Sequence, residues 1–361
     1  MSRRMLGLIL AVFMMMTLVS CKEEGTSSSS QGIASAASLQ SNPVQEPEPP
    51  QEPAARNPLT GMGIDPEKAD DRPVAVMLNN LKASLPQLGV SKADIIYEVL
   101  AEGGITRMLA VFQDLDGVGD LGSIRSTRAY YLEIALGHDA ILVHAGGSPE
   151  AYSCIPKWGV DNLDGVNGGS EQEMYWRDPE RRKNAGYEHS LLTSGEKIQD
   201  YLAGGRYALK HEDGYRYEMA FAEDGTPAGG SAAEHVSVKF SKSKTGTFDY
   251  DADQGAYLVG QYNSAYVDGD TGEQVSVTNV LVLRTRISLI SGDSAGRISV
   301  DLSSGGEGMY CCGGKSVPIR WSKPGRTDPF SYTLEDGTPL TLGRGATYVC
   351  IVGLDSAVTA E

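Results

Sequence analysis

Apolar and polar positions divide the chain into stretches of different character. Met5 to Leu18 is an apolar run, shorter than the roughly 20 residues of a membrane-spanning helix and of the length of a signal-peptide core. Residues 22–56 carry no hydrophobic period and are rich in Ser, Gln, Glu, Pro and Ala, with kernels at Ser27 to Ser30 and Pro47 to Pro53. Such a stretch cannot bury enough apolar surface to offset its ordering entropy, so it reads as a disordered tether. From Asn57 the pattern turns globular. Pro73 to Leu78, Asp94 to Ala101 and Ile105 to Phe112 have the apolar content of buried strands, the last two joined at Gly103-Gly104, a two-residue hairpin signal. Thr127 to Leu136 reads as a helix capped by Ser126 or Thr127 and stopped by Gly137. Ala140 to His144 is a short strand, Ser148-Pro-Glu150 announces another helix, and a last helix runs from Ser194 to Leu202.

Past the glycine-rich break at Gly225 to Ala233 the chain changes to short β-type runs: Val236 to Phe240, Ala256 to Gln261, Ser276 to Leu283, Arg297 to Val300 and Thr347 to Val352. Turn pairs punctuate them at Asp268-Gly269, Gly313-Gly314 and Asp336-Gly337. The expected fold class is α+β: a mixed α/β N-terminal domain over 57–225, then a β-rich C-terminal domain over 234–355.

The N-terminus sets the address. Arg3 and Arg4 precede the apolar run, which closes on Leu18-Val-Ser-Cys21, a pattern resembling the bacterial lipobox. Residues 1–20 are therefore expected to be a lipoprotein signal peptide, and 21–56 the lipidated cysteine with its tether. A cysteine bearing a diacylglyceryl group and an amide-linked acyl chain such as palmitate meets the two-chain requirement for stable anchoring. The expected location is the extracytoplasmic face of the cell membrane. Cleavage removes Arg3 and Arg4 and no acid, which takes the formal charge from −16 to −18. That balance argues against a nucleic-acid partner, since phosphate-backbone binding needs a basic patch.

Cys154, Cys311, Cys312 and Cys350 lack zinc-site spacing. In an exported chain either a bond from Cys311 or Cys312 to Cys350 or a set of free thiols fits.

Chemistry concentrates in the first domain. A two-residue turn at Gly103-Gly104 would pair Leu100 with Arg107 and Glu98 with Leu109, so that Glu98, Glu102 and Arg107 share one face. The plain account of that cluster is a solvated ion-pair network; the functional account is a cleft wall. Arg125 and Arg128 fall at a helix start, where the macrodipole disfavours cations, so an anion is expected nearby: Glu98, Glu102 or a ligand. His144 ends a strand before a glycine turn and the Ser148 cap, a usual ligand position in α/β sheets. His189 is a second candidate. Among so many arginines no metal is expected, and no cofactor motif is present. Ser194-Gly-Glu-Lys197 and Lys244-Thr-Gly246 match short motifs of penicillin-recognising enzymes, but they lie too close together for that fold and lack the middle element.

Five segments, Arg72-Pro-Val-Ala-Val-Met77, Ser91-Lys-Ala-Asp-Ile-Ile-Tyr-Glu98, Glu102-Gly-Gly-Ile-Thr-Arg107, Ile124-Arg-Ser-Thr-Arg128 and His144-Ala-Gly-Gly-Ser-Pro149, resemble the YerB-like lipoprotein family. The resemblance continues through Thr278-Asn-Val280, Gly305 to Tyr310, Trp321-Ser-Lys323 and Asp336-Gly337, and so covers nearly all of 57–353. It implies a two-domain extracytoplasmic lipoprotein without an assigned activity. The family's Pro-His-Asn stands here as Glu188-His189-Ser190, keeping the histidine between altered neighbours.

The leading expectation is a binding module. Its cleft of Glu98, Glu102, Arg107, Arg125, Arg128, His144, Ser148 and His189 would hold an anionic envelope ligand, a muropeptide or teichoic-acid fragment. A hydrolase or transferase with His144 or His189 as general acid/base, helped by Glu98 or Glu102, is the second reading. A surface scaffold for an envelope protein partner is the third.

Overall fold

The computed structural model describes residues 52–361. The expected signal peptide, Cys21 and the tether up to residue 51 lie outside the described residues. Residues 52–361 form one compact unit, and Arg56, within the expected tether, already bridges to Gly63.

An eleven-stranded mixed sheet is the backbone of the fold. Nine of its members are β1 (Val74–Asn79), β2 (Ile95–Leu100), β3 (Thr106–Phe112), β4 (Ile141–His144), β5 (Asn162–Asp164), β6 (Asn279–Thr285), β7 (Gly306–Cys312), β8 (Lys315–Ser322) and β9 (Thr347–Gly353). In space they run β8-β7-β6-β9-β2-β3-β1-β4-β5, so strands from 57–225 and from 234–355 share one sheet. β6, β9 and β2 are mutually parallel, as are β1, β4 and β5; β3 runs antiparallel to both β2 and β1. All six parallel strands therefore end at the same rim. Every residue of β1 and β3 is buried, which is why they read as continuous apolar runs rather than alternating ones.

One face of this sheet carries α1 (Ala129–Gly137) and α2 (Pro149–Trp158), whose Tyr131, Leu132 and Ala151 pack with Met77, Tyr97 and Leu109. The other face carries α4 (Gly195–Leu202) and a second, six-stranded antiparallel sheet that includes His235–Lys239, Thr245–Asp251 and Ala256–Gln261. The α+β reading holds, with helices confined to the first half. α3 (Pro179–Asn184), Thr245–Asp251, β7 and β8 were not legible as elements. Gly313-Gly314 is the expected tight turn, both residues at positive φ, closing the β7–β8 hairpin at Cys312 and Lys315.

Two local expectations are corrected. Ala101 N–H donates to Ile105 O at 2.8 Å, and Glu102–Gly104 forms a 3-10 turn, so Leu100 pairs with Thr106 instead of Arg107 and five residues form the loop between them. Glu98 then faces Met108, and Arg107 faces Val99. With a side-chain period of two, this one-residue shift sends Glu98 and Arg107 to opposite faces of the sheet. Arg128, not Ser126 or Thr127, is the N-cap of α1; it makes no side-chain capping bond, and Gly137 is the last helical residue.

The four described cysteines are free. Cys311 in β7 and Cys350 in β9 stand opposite Val280 and Val282 of the intervening β6. Two strand spacings, roughly 10 Å, exceed the ~7 Å that a disulfide spans between Cα atoms.

Candidate functional site

The common rim of β1, β2 and β4 gathers the arginines. Glu102 leaves β2 through the glycine turn and receives both buried guanidiniums: Arg107 Nη2 donates to its Oε1 at 2.8 Å, Arg128 Nε to its Oε2 at 3.1 Å, and Arg128 Nη2 also contacts Oε1. Burial pushes the Glu102 carboxyl up, but the charges of Arg107 and Arg128 outweigh it and hold the pKa at about 2. This carboxylate is the anion that the helix start requires, since it stands beside the α1 N-cap. Its two oxygens serve two fork-shaped donors at once.

Positive charge is in excess here. Arg107 is 3% exposed, and burial followed by the like charge of Arg128 presses its pKa down; Glu102 acts against both, and Arg125 adds to the depression. The Nε atoms of Arg107 and Arg125 are buried without a hydrogen-bond partner. The carboxylate that Arg125 contacts is that of Glu188, which is 69% exposed and meets it at 3.2 Å. Arg125 Nη1 also donates to the Glu188 carbonyl at 3.2 Å.

His189 joins this group. The Asn79 amide donates to its Nδ1 at 2.8 Å, which leaves Nε2 to carry the proton of the neutral ring. Burial and then the Arg125 charge lower its pKa, with Glu188 opposing. Asn79 ends β1 opposite Arg107. It belongs to the site but had no signal in the sequence beyond its place at a strand terminus.

The remaining candidates lie elsewhere. Glu98 is fully buried on the opposite face of the sheet, bound to Asn80, Thr106, Tyr348 and Lys244. His144 is fully buried: Nδ1 meets Gly146 O at 2.9 Å and Nε2 meets Asn162 Oδ1 at 3.0 Å. Both ring nitrogens are thus occupied. Ser148 caps α2 by accepting from Ala151 N–H at 3.1 Å. Chemistry that pairs a histidine with a glutamate on this rim rests on His189, Glu102 and Glu188.

Among the described residues no group of three or more His, Cys, Asp or Glu side chains converges as a metal site would need, and no helix is long and apolar enough to cross a membrane. Cavities of 230 to 610 Å³ among the described residues are lined by residues other than Glu102, Arg107, Arg125, Arg128 and His189.

Comparison with known proteins gives a consistent answer. Residues 59–208 match the N-terminal domain, and residues 236–349 the C-terminal domain, of the family described as protein of unknown function DUF3048. The Bacillus subtilis (strain 168) protein named "Putative lipoprotein YerB" is 32% identical over 306 residues, spanning 83% of this chain and 87% of that protein. The crystal structure of YerB protein from Bacillus subtilis aligns at 28% identity with a TM-score of 0.72, covering 84% of this chain and 99% of that one.

Proposed function

This chain belongs to the DUF3048 family and is similar to the Bacillus subtilis protein named "Putative lipoprotein YerB", and from that premise we propose that it is an envelope anion-binding lipoprotein. Its globular unit is held at the extracytoplasmic face of the membrane by a lipid on Cys21. Arg107, Arg125, Arg128 and His189 grip an anionic group of a cell-wall polymer, of muropeptide or teichoic-acid type. The observation that carries the reading is the charge imbalance: two buried arginines share one well-ionised carboxylate, and a third arginine beside them leans on an exposed acid that a ligand can displace. The position favours it too, because ligands of α/β sheets bind beyond the carboxyl ends of parallel strands.

The test is a thermal-shift titration of residues 22–361 with sodium phosphate, then glycerol phosphate oligomers and muropeptides, with Arg125→Ala alongside. An anion at 100 times its Kd adds about 2.7 kcal/mol of stability. A shift in the wild type that disappears in the variant supports the reading. Absence of a shift with every anion overturns it.

A further inference from the structure

Away from the arginine rim, on the other face of the sheet, a primary amine and a carboxamide share one buried carboxylate. Glu98 and Asn80 are 0% exposed and Lys244 is 1% exposed. Asn80 Nδ2 donates to Glu98 Oε1 at 2.8 Å, and Lys244 Nζ lies 3.2 Å from the same oxygen. Thr106 Oγ1 donates to Oε1 at 2.6 Å, while the Tyr348 hydroxyl donates to Oε2 at 2.6 Å. Lys244 Nζ also contacts Gln261 Oε1 and stands 4.6 Å from the Tyr262 ring centre. The Asn80 carbonyl oxygen, Oδ1, is buried without a partner.

A buried ion pair of this kind barely repays its desolvation, and an unpartnered amide oxygen beside it adds to the cost. As a reaction centre the arrangement has a different logic. We propose that Lys244 and Asn80 become joined by an intramolecular isopeptide bond, with Glu98 as the proton shuttle.

Glu98 takes a proton from the Lys244 ammonium, which burial already disposes to lose it. The neutral amine adds to Asn80 Cγ, forming the new C–N bond and placing negative charge on Oδ1. As the carbonyl re-forms, the Cγ–Nδ2 bond breaks, and Glu98 returns its proton to Nδ2. The second proton shed by Nζ follows, so the leaving group departs as ammonium and Glu98 is again a carboxylate. No oxidant, reductant or other reactant enters. One oxygen touching both the attacking and the leaving nitrogen is what such a shuttle requires, and burial keeps both side chains at that oxygen. Tyr262 OH donates to Asn80 O at 2.6 Å, and Phe240 N–H to Lys244 O at 3.0 Å. The bond would staple the two family segments of a chain whose described cysteines are all free, limiting the unfolded state as a disulfide does.

Intact-mass spectrometry of residues 22–361 tests this. The expected wild-type mass is the sequence mass less one ammonia. Trypsin should fail after Lys244 and release a branched peptide carrying Asn80. Asn80→Asp should instead lose one water from its own sequence mass. Glu98→Gln, folded by circular dichroism, should keep its full mass. A folded wild type at full sequence mass overturns the proposal, as does ammonia loss that persists in Asn80→Ala, which would assign the bond to Gln261.

Discussion

On the proposed anion-binding reading, Glu102 is the residue on which stability and binding pull in opposite directions, so Glu102→Gln separates them. The carboxyl is held at about 2 against an ordinary 4.5, a difference worth about 3 kcal/mol at 1.36 kcal/mol per unit. Its side chain is 25% exposed, so solvent screening reduces this to about 2 kcal/mol. Because the folded pKa is depressed, the contribution is complete above about pH 4.5 and is lost as pH falls through the folded value. Urea unfolding of wild type and Glu102→Gln should therefore differ by about 2 kcal/mol at pH 7, with the gap closing between about pH 4.5 and 2. The same substitution frees two guanidiniums, so phosphate should stabilise Glu102→Gln more than it stabilises the wild type. Equal unfolding free energies at pH 7, a gap that stays constant into acid, or an unchanged phosphate response would refute the account of Glu102 as the resident anion.

Three further outcomes follow from the geometry. Since burial and Arg125 lower the His189 pKa, its ring resonances should titrate below the ordinary 6.5, and Arg125→Ala should raise the midpoint; below pH 6.5 the unfolded chain takes the proton first, so this histidine makes the fold lose stability toward acid. Ser148→Ala should cost about 1 kcal/mol through loss of the α2 cap, in which its hydroxyl accepts from Ala151 N–H, and on the proposed reading should leave a phosphate-induced shift in calorimetry intact. Gly225→Ala would set its Cβ 2.0 Å from Gly343 N; no side chain is there to swing aside, so chemical denaturation should register a loss of 2 kcal/mol or more.

What was legible in the sequence was local. The apolar runs of β1 to β4, the Ser148-Pro149 start of α2 and the Ser194 start of α4 each carry their cause within a few residues, and each appears within a residue or two of its expected place. The conflict of Arg125 and Arg128 with a helix start also pointed correctly to a nearby anion, because the dipole argument needs no tertiary knowledge. The register of the first hairpin was not legible. Gly103 and Gly104 both take positive φ, yet within a five-residue loop, and composition does not distinguish that loop from a two-residue turn. A shift of one residue then moved Glu98 from the arginine face into the Lys244 network. Pro318 inside β8, opposite Met309, masked a strand that its neighbours supported. Lys244 itself was visible only as part of a misleading short motif; its meeting with Glu98 is made by the packing of two sheets, for which no local pattern exists.

The order of strands has a consequence for how the two family segments depend on each other. β2 is paired on one side by β3, a local hairpin, and on the other by β9, parallel over Ile95 to Val99 and Thr347 to Ile351. The Tyr348 hydroxyl that reaches Glu98 comes from 250 residues away in sequence. Residues 52–225 expressed alone would expose the β9-facing edge of β2, uncover the Glu98 carboxylate and strip Phe330 from Tyr97, whose ring centres lie 5.8 Å apart. An exposed, apolar, parallel-pairing edge is a site of aggregation, and its partner exists only once nearly the whole chain has been made. Residues 52–225 alone should therefore aggregate or lack a cooperative urea transition, and adding residues 226–361 in trans should restore one. A sharp two-state transition by the first fragment alone would show that its own core suffices. It would then reduce β9 to an accessory strand instead of the element that makes two sequence segments one folding unit.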